Sequence, residues 1–178
     1  MADSLKGKRV AILVTDGFEQ VELTGPKEAL EAEGASADII SSSNGEVTGW
    51  NHTTPATKFH VDKTFDSVRM DDYDAVVLPG GVVNSDTIRT DETAQKLVRD
   101  AAQANKPIAV ICHGAWLLIS AGLVKGKRMT SYPSLTDDLK NAGAEWVDEQ
   151  VVVDANLISS RNPDDIPAFN QALVKALA

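Results

Sequence analysis

Cys112, His113 and Gly114 follow the apolar run Pro107, Ile108, Ala109, Val110 and Ile111 and precede a helix-length apolar stretch, Ala115 to Ala121. Cys112 is the only cysteine, so an intramolecular disulfide is excluded and any thiol chemistry rests on this residue. A free cysteine most often packs as a small hydrophobe. At a strand-to-helix junction, however, a thiol faces unpaired N–H groups and the positive end of the helix dipole, which favour the thiolate and lower its pKa below ~8.5. Cys112 therefore reads as a nucleophile in a tight turn that Gly114 permits, although Val110 is bulkier than the small residue usual two positions before such an elbow. His113, with an ordinary pKa of ~6.5, can give or take a proton near neutrality.

Two further strand ends carry groups that would serve such a thiol. Ala75 to Leu78 runs into Pro79, Gly80 and Gly81, whose backbone N–H groups could join that of His113 as an oxyanion pocket. Val10 to Val14 runs into the acidic stretch DGFEQVEL, where Glu19 and Glu22 are three apart and would share a helix face. A carboxylate beside the thiol has opposite effects in its two states. Ionised, it repels a thiolate; protonated, it donates a hydrogen bond that steadies a thiolate or a sulfinate. Tyr132, in the TSYP stretch, can offer a phenol to a substrate oxygen or simply pack. His52 and His60 lie in a loop-like segment without metal-ligand spacing, so no metal site is expected. Asp71, Asp72 and Asp74 read as a solvated strand entry, and Trp116 and Trp146 as core.

Positioning these groups requires strands and helices in alternation. Val10 to Val14, Ala37 to Ile40, Ala75 to Leu78 and Pro107 to Ile111 are nearly continuous apolar runs, as expected of parallel strands buried on both faces. Helices are expected through Glu28 to Glu31, stopped by Gly34, with Pro26 in the first turn or at a kink. Others are expected from an N-cap at Thr90 to about Asn105, over Ala115 to Ala121, and from a Ser134 cap to Gly143. A last helix opens at Asn162 and Pro163 and carries the stripe Ile166, Phe169, Leu173, Val174 and Leu177. Ser41 to Val68 reads as hairpin or loop, a loop follows Gly81, and Val151 to Val153 with Leu157 to Ser159 form a hairpin. The fold class is α/β, and in such doubly wound sheets ligands sit outside the carboxyl ends of the strands.

The chain has 178 residues, which predicts one domain over 1–178. Its composition, 43% hydrophobic and 24% charged, is that of a globular protein. A net charge of -9 repels phosphate backbones, so nucleic acid is not an expected partner. No apolar run approaches the ~20 residues of a membrane span, and MADSLKGKRV lacks a secretory h-region. A cytoplasmic location is expected.

Together, DGFEQVEL, LPGG, ICHG with the following LLISAGLVKGKRMTSYP, and WVDEQVVVDANLISSR resemble the ThiJ/PfpI family, in the same order and over almost the whole chain. The resemblance implies a flavodoxin-like three-layer sandwich with a mainly parallel sheet, a homodimer or higher homo-oligomer, and Cys112 as the reactive thiol of a nucleophile elbow. It implies Glu22 as the carboxylate beside that thiol with Glu19 nearby, Gly81 and His113 as oxyanion donors, and Tyr132 at the site's edge. Protease-like relatives complete a Cys-His-acid triad with a Glu from a neighbouring subunit shortly after the Gly-Gly pair. Here Asn84 stands where that acid is expected, and an amide cannot stabilise an imidazolium as a carboxylate does, unless Asp86 substitutes.

Three activities follow as expectations. The first is a stress-protective glyoxalase or deglycase, without metal or organic cofactor, whose thiol adds to a small reactive carbonyl such as methylglyoxal or to its protein adduct. The second is an intracellular cysteine peptidase, weakened by Asn84. The third is a non-enzymatic peroxide sensor built on an exposed thiol of low pKa.

Overall fold

A computed structural model describes residues 3–178; residues 1 and 2, the start of the stretch read above for a leader, lie outside them. In chain order the elements are β1 (Arg9–Leu13), β2 (Phe18–Glu19), α1 (Gln20–Ala32), β3 (Ser36–Ser41), β4 (Glu46–Asn51), β5 (Thr54–His60), β6 (Lys63–Thr64), β7 (Ala75–Leu78) and α2 (Val82–Ile88). They continue as α3 (Glu92–Gln103), β8 (Ile108–Ile111), α4 (Ala115–Ser120), β9 (Arg128–Met129), α5 (Thr136–Asn141), β10 (Glu145–Trp146), β11 (Val152–Asp154), β12 (Leu157–Ser160) and α6 (Ile166–Leu177).

The central sheet has the order β11-β12-β8-β7-β1-β3-β6 and is parallel except for the edge strand β11. Strand alternation divides the core in two. Ala11, Leu13, Val76, Leu78, Ile108 and Val110 pack on one face with the apolar sides of α3, α4 and α5. Val10, Ile12, Ala75, Val77, Ala109 and Ile111 pack on the other with Leu23 and Leu30 of α1 and Phe169, Leu173 and Leu177 of α6. Each such large side chain contributes about 1.5–3 kcal/mol of burial, which ties α1 and α6 to the sheet and to each other. The result is the three-layer α/β sandwich with a mainly parallel sheet that the apolar runs imply. No helix of the described residues is long and apolar enough to cross a membrane.

Local chemistry moves several boundaries. A loop is expected after Gly81, but Val82–Ile88 forms α2, because Asn84, Ser85 and Ile88 turn inward and are buried. Asp91, not Thr90, caps α3, its side chain accepting from Ala94 N–H. Pro26 lies inside α1 rather than in its first turn, since the helix already begins at Gln20. Ser134 caps nothing: Pro133–Leu135 is a 3-10 turn ahead of α5, and Thr136 Oγ1 bonds back to Pro133 O at 2.6 Å. Trp116 and Trp146 are only partly buried, and each indole N–H reaches a polar side chain, Asp138 Oδ2 and Ser131 Oγ. The Ser41 to Val68 stretch contains the antiparallel hairpin β4–β5, which joins β2 in a small separate sheet.

Candidate active site

In register, β1, β7 and β8 end side by side, with Ile12 beside Val77 and Leu78 beside Val110. The segments after Leu13, Leu78 and Ile111 therefore meet at one end of the sheet. They line a cleft of about 750 Å³ that includes Glu22, Gly81, Cys112, His113 and Tyr132. The hairpin β4–β5 adds Trp50 and His52, and the chain after β12 adds Asn162 and Asp164.

Cys112 has φ 61, the left-handed region, which costs a non-glycine residue roughly 1–2 kcal/mol and persists only where the surroundings hold it. Two glycines allow it. A Cβ on Gly114 would stand 2.7 Å from Leu78 O and 3.0 Å from Val110 Cγ2, so the bulk of Val110 is accommodated by the missing side chain at Gly114. A Cβ on Gly80 would stand 2.6 Å from Glu22 Oε1, 2.7 Å from Cys112 Cβ and 3.0 Å from His113 N, which marks the point where the three strand ends converge.

The expected exposed, low-pKa thiol is corrected here. Cys112 is 7% exposed. Burial pushes its pKa up, the charge of Glu22 adds to that, and the N–H groups of His113 and Gly81 pull the other way without prevailing. Desolvation outweighs the donors because Cys112 belongs to the buried apolar cluster that includes Val77 and Ile111. Sequence adjacency does become contact: Cys112 Sγ lies 3.2 Å from His113 Nδ1. Burial lowers the pKa of His113, so its imidazole is neutral and able to accept a proton at neutral pH.

Glu22 is fully buried, and burial pushes its pKa up to about 8, helped by the charge of Glu19 and opposed by the hydrogen bond from Gly80 N–H. That bond, 2.8 Å to Oε1, uses the Gly80 donor, so of the two glycines only Gly81 turns its N–H to the sulfur. Gly80 is thus removed from the oxyanion set. Among the described residues Glu22 Oε2 has no hydrogen bond of ordinary geometry, and the carboxyl's remaining interaction is with the Cys112 side chain. Glu19 and Glu22 do not share a helix face: Glu19 precedes α1 in β2, and its carboxylate accepts from His52 N–H at 3.2 Å. Tyr132 stacks on His113, centroids 4.6 Å apart and planes at 26°, while Trp116 meets the same ring edge-on at 5.3 Å.

Asn84 is corrected most fully. Its Oδ1 accepts from Thr15 N–H at 2.7 Å and from Thr15 Oγ1 at 3.0 Å, and its Nδ2 donates to Gly80 O at 3.0 Å. The side chain is buried and spent inside its own chain, tying the end of β1 to the Gly80–Gly81 turn. Replacing Asn84 by Ala is expected to cost about 2 kcal/mol or more, because it strands the Thr15 N–H and leaves the Gly80 carbonyl with only the long bond from Glu19 N–H. Urea denaturation checks this, and an unchanged midpoint would deny the strut role. Asp86 is exposed on α2 and makes no hydrogen bond to His113.

The residue-type reading overlooked three neighbours of the site. Trp116 was assigned to the core, His52 to a loop and Ser134 to a helix cap, yet they pack on His113, bond Glu19 through the backbone, and reach His113 Nε2 at 3.5 Å respectively. Position after a strand's carboxyl end was the signal available for Ser134, since TSYPS follows β9. Among the described residues no group of three or more His, Cys, Asp or Glu could hold a metal ion.

Residues 8–176 match the model of the DJ-1/PfpI family. Deglycase PfpI of Pyrococcus furiosus is 43% identical over 169 residues, which are 95% of this chain and 99% of that protein. Protein/nucleic acid deglycase 2 of Escherichia coli is 39% identical over 172 residues, 96% of this chain and 98% of that one. Among solved structures, a two-domain protein of Anabaena variabilis with DJ-1/ThiJ/PfpI-like and ferritin-like domains superposes with a TM-score of 0.91 and 33% identity. That match covers 96% of this chain and 48% of the two-domain one. The elbow cysteine, the parallel sheet that presents it and the sequence match over nearly the whole chain lead to one conclusion: this chain belongs to the DJ-1/PfpI family.

Proposed function

We propose that this chain is a cysteine-dependent enzyme of the deglycase kind, acting on methylglyoxal or on its early adduct with a protein amine. One observation carries the reading: a strained, buried thiol lies 3.2 Å from a neutral imidazole and beside a carboxyl group that keeps its proton to about pH 8. Relatives named deglycases at about 40% identity support it.

The chemistry balances without an external oxidant. Nδ1 of His113 takes the Sγ–H proton as the sulfur attacks the aldehyde carbon, and the carbonyl oxygen becomes the hemithioacetal hydroxyl. The N–H groups of Gly81 and His113 stabilise the oxygen as its charge develops. Glu22 gives the proton held on its uncommitted oxygen to the ketone oxygen and, as carboxylate, takes the hydrogen of the former aldehyde carbon; from the resulting enediol it delivers that hydrogen to the neighbouring carbon and recovers a proton from the hydroxyl on the former aldehyde carbon. That carbon is oxidised to a thioester while the ketone is reduced to an alcohol. Water cleaves the thioester to lactate and restores the thiol; on an adduct, the amine is released as well.

The cleft's charge narrows what enters. Besides Glu22, which keeps its proton, the acids Glu19 and Asp164 line it, and among the described residues no lysine or arginine does. Arg161, the nearest guanidinium in sequence, is bound to Asp165 at 2.9 Å and Asp148 at 2.8 Å. Neutral dicarbonyls and adducts on basic side chains suit such a site better than anionic ones. A homodimer working in the cytoplasm fits the reading. Asp86 is then the remaining acid that a subunit boundary could bring to an imidazole, because Asn84 is committed elsewhere.

Methylglyoxal and unfolded casein, offered to one preparation, test the proposal. Lactate is expected from the first and no fragments from the second. Casein cleavage without lactate would replace this reading by the peptidase one.

A further inference from the structure

The acidic stretch that leads into α1 spends most of its polar side chains on the hairpin β4–β5. Asp16 Oδ1 accepts from Thr48 N–H at 2.8 Å. Gln20 exchanges two bonds with Thr57, its Nε2 donating to Oγ1 at 3.1 Å and its Oε1 accepting from N–H at 3.0 Å. Between them Glu19 pairs with Trp50 in the β2–β4 ladder and aims its carboxylate at the hairpin's turn, where the two oxygens accept from His52 N–H at 3.3 and 3.2 Å. The direction of this bond is fixed, because a backbone N–H only donates.

His52 needs such a partner. Its φ of 59 is left-handed, a conformation that costs a residue with a side chain roughly 1–2 kcal/mol and that hairpin turns usually give to glycine, asparagine or aspartate. Cys112 is the other non-glycine residue of the cleft held in this way. The imidazole of His52 is 80% exposed, and its Nδ1 stands 4.0 Å from Glu19 Oε1, beyond hydrogen-bond reach, so the backbone contact and not the ring holds the turn. Among the described residues no other side chain bonds residues 51–53. This turn is part of the active-site wall: Trp50, Asn51, His52 and Thr53 line the same cleft as Cys112 and His113.

We propose that Glu19 is a positioning residue: through the His52 N–H it latches the hairpin turn onto the cleft and so fixes the wall that meets the part of a substrate remote from the sulfur. Its own backbone is anchored at the centre of the site. Glu19 N–H donates to Gly80 O at 3.4 Å, and a Cβ on Gly81 would stand 2.6 Å from Glu19 N. Glu19 therefore ties the turn that carries the Gly81 donor to the hairpin. With Asp16, Glu19 and Gln20 engaged, Glu22 alone among the polar side chains of the stretch is left for proton transfer. A substrate that meets a loose wall must order it, and its affinity falls with the fraction of time the wall is in place, while the chemistry at the sulfur is untouched. This deepens the reading above, because it takes the cleft around Cys112 as the place of reaction.

Glu19→Gln and Glu19→Met separate the latch from the charge. Both keep the length of the side chain and lose the negative charge near Glu22, but only Gln keeps an oxygen for the His52 N–H. Hydrogen exchange at the His52 amide, followed by NMR without substrate, is expected to run about two- to tenfold faster in Glu19→Met than in Glu19→Gln, the worth of one neutral hydrogen bond. The amide of Val77, in the central sheet, should exchange equally in both. With the methylglyoxal adduct of Nα-acetyllysine as substrate, KM should be about two- to tenfold higher in Glu19→Met, and kcat of the two variants should agree within about twofold. Equal exchange at His52 in the two variants, a rise shared by Val77, or a KM that does not differ between them would overturn the assignment. The exchange is read without substrate, so a preparation that shows it and yet turns over no adduct would count against the functional reading and leave the latch in place.

Discussion

Cys112→Ser is expected to lower lactate formation from methylglyoxal by at least about a thousandfold, the scale seen when a covalent nucleophile is removed. The change replaces sulfur by oxygen in the same elbow. The hydroxyl is much less acidic and less nucleophilic than the thiol, and His113, with its pKa already lowered by burial, is too weak a base to make up the difference. The fold should survive, because the strained turn depends on Gly80 and Gly114 and on the strands that flank them, not on the sulfur. Steady-state lactate assays beside a thermal melt separate the two effects. A rate equal to that of the unaltered protein would remove Cys112 from the chemistry. With Cys112 only 7% exposed, the same variant also tests the sensor reading, since uptake of two oxygens under mild peroxide should vanish with it.

Glu22 should make stability depend on pH in a direction opposite to that of a salt-bridged acid. Its pKa rises from 4.5 to about 8 on folding, so between those values the folded state keeps a proton that the unfolded state has released. Stability must then fall as pH rises from about 4.5 to 8 and level off above. Full ionisation carries a penalty on the order of 5 kcal/mol, against a usual total of about 5–15 kcal/mol for a whole domain. Glu22→Gln keeps an acceptor for Gly80 N–H and a donor toward the thiol without the charge. It is expected to flatten the profile and to exceed the unaltered protein in stability above pH 8. Its activity should nevertheless drop roughly 10²–10⁴-fold, because an amide cannot carry the proton. Urea denaturation at pH 5, 7 and 8.5 gives the slopes; parallel curves for the two proteins would show that Glu22 is not held protonated by the fold.

Local sequence and long-range packing contributed differently to this site. The buried strands were legible because residues 10–13, 75–78 and 108–111 are apolar without interruption, a pattern that needs no knowledge of neighbours. The pairing of Glu19 with Glu22 was not. Spacing of three says that two residues share a face only if both are helical, and α1 begins one residue after Glu19. Helix α2 was hidden for a related reason. Val82 and Val83 are 53% and 45% exposed, so the apolar pattern points the wrong way, and the segment is held by Asn84, whose partner Thr15 is 69 residues distant.

From the sequence alone came the α/β class, the thiol at the carboxyl end of β8, its histidine neighbour and the glycines that let the chain turn there, because strand periodicity and turn chemistry are short-range properties. The choice of Glu22 over Glu19 was open from residue spacing and came from the family resemblance, while tertiary structure alone decided that Asn84 is an internal strut and that Cys112 is buried instead of bare. Those outcomes depend on desolvation and on hydrogen bonds between segments far apart in the chain, and both arise only once the strands have come together.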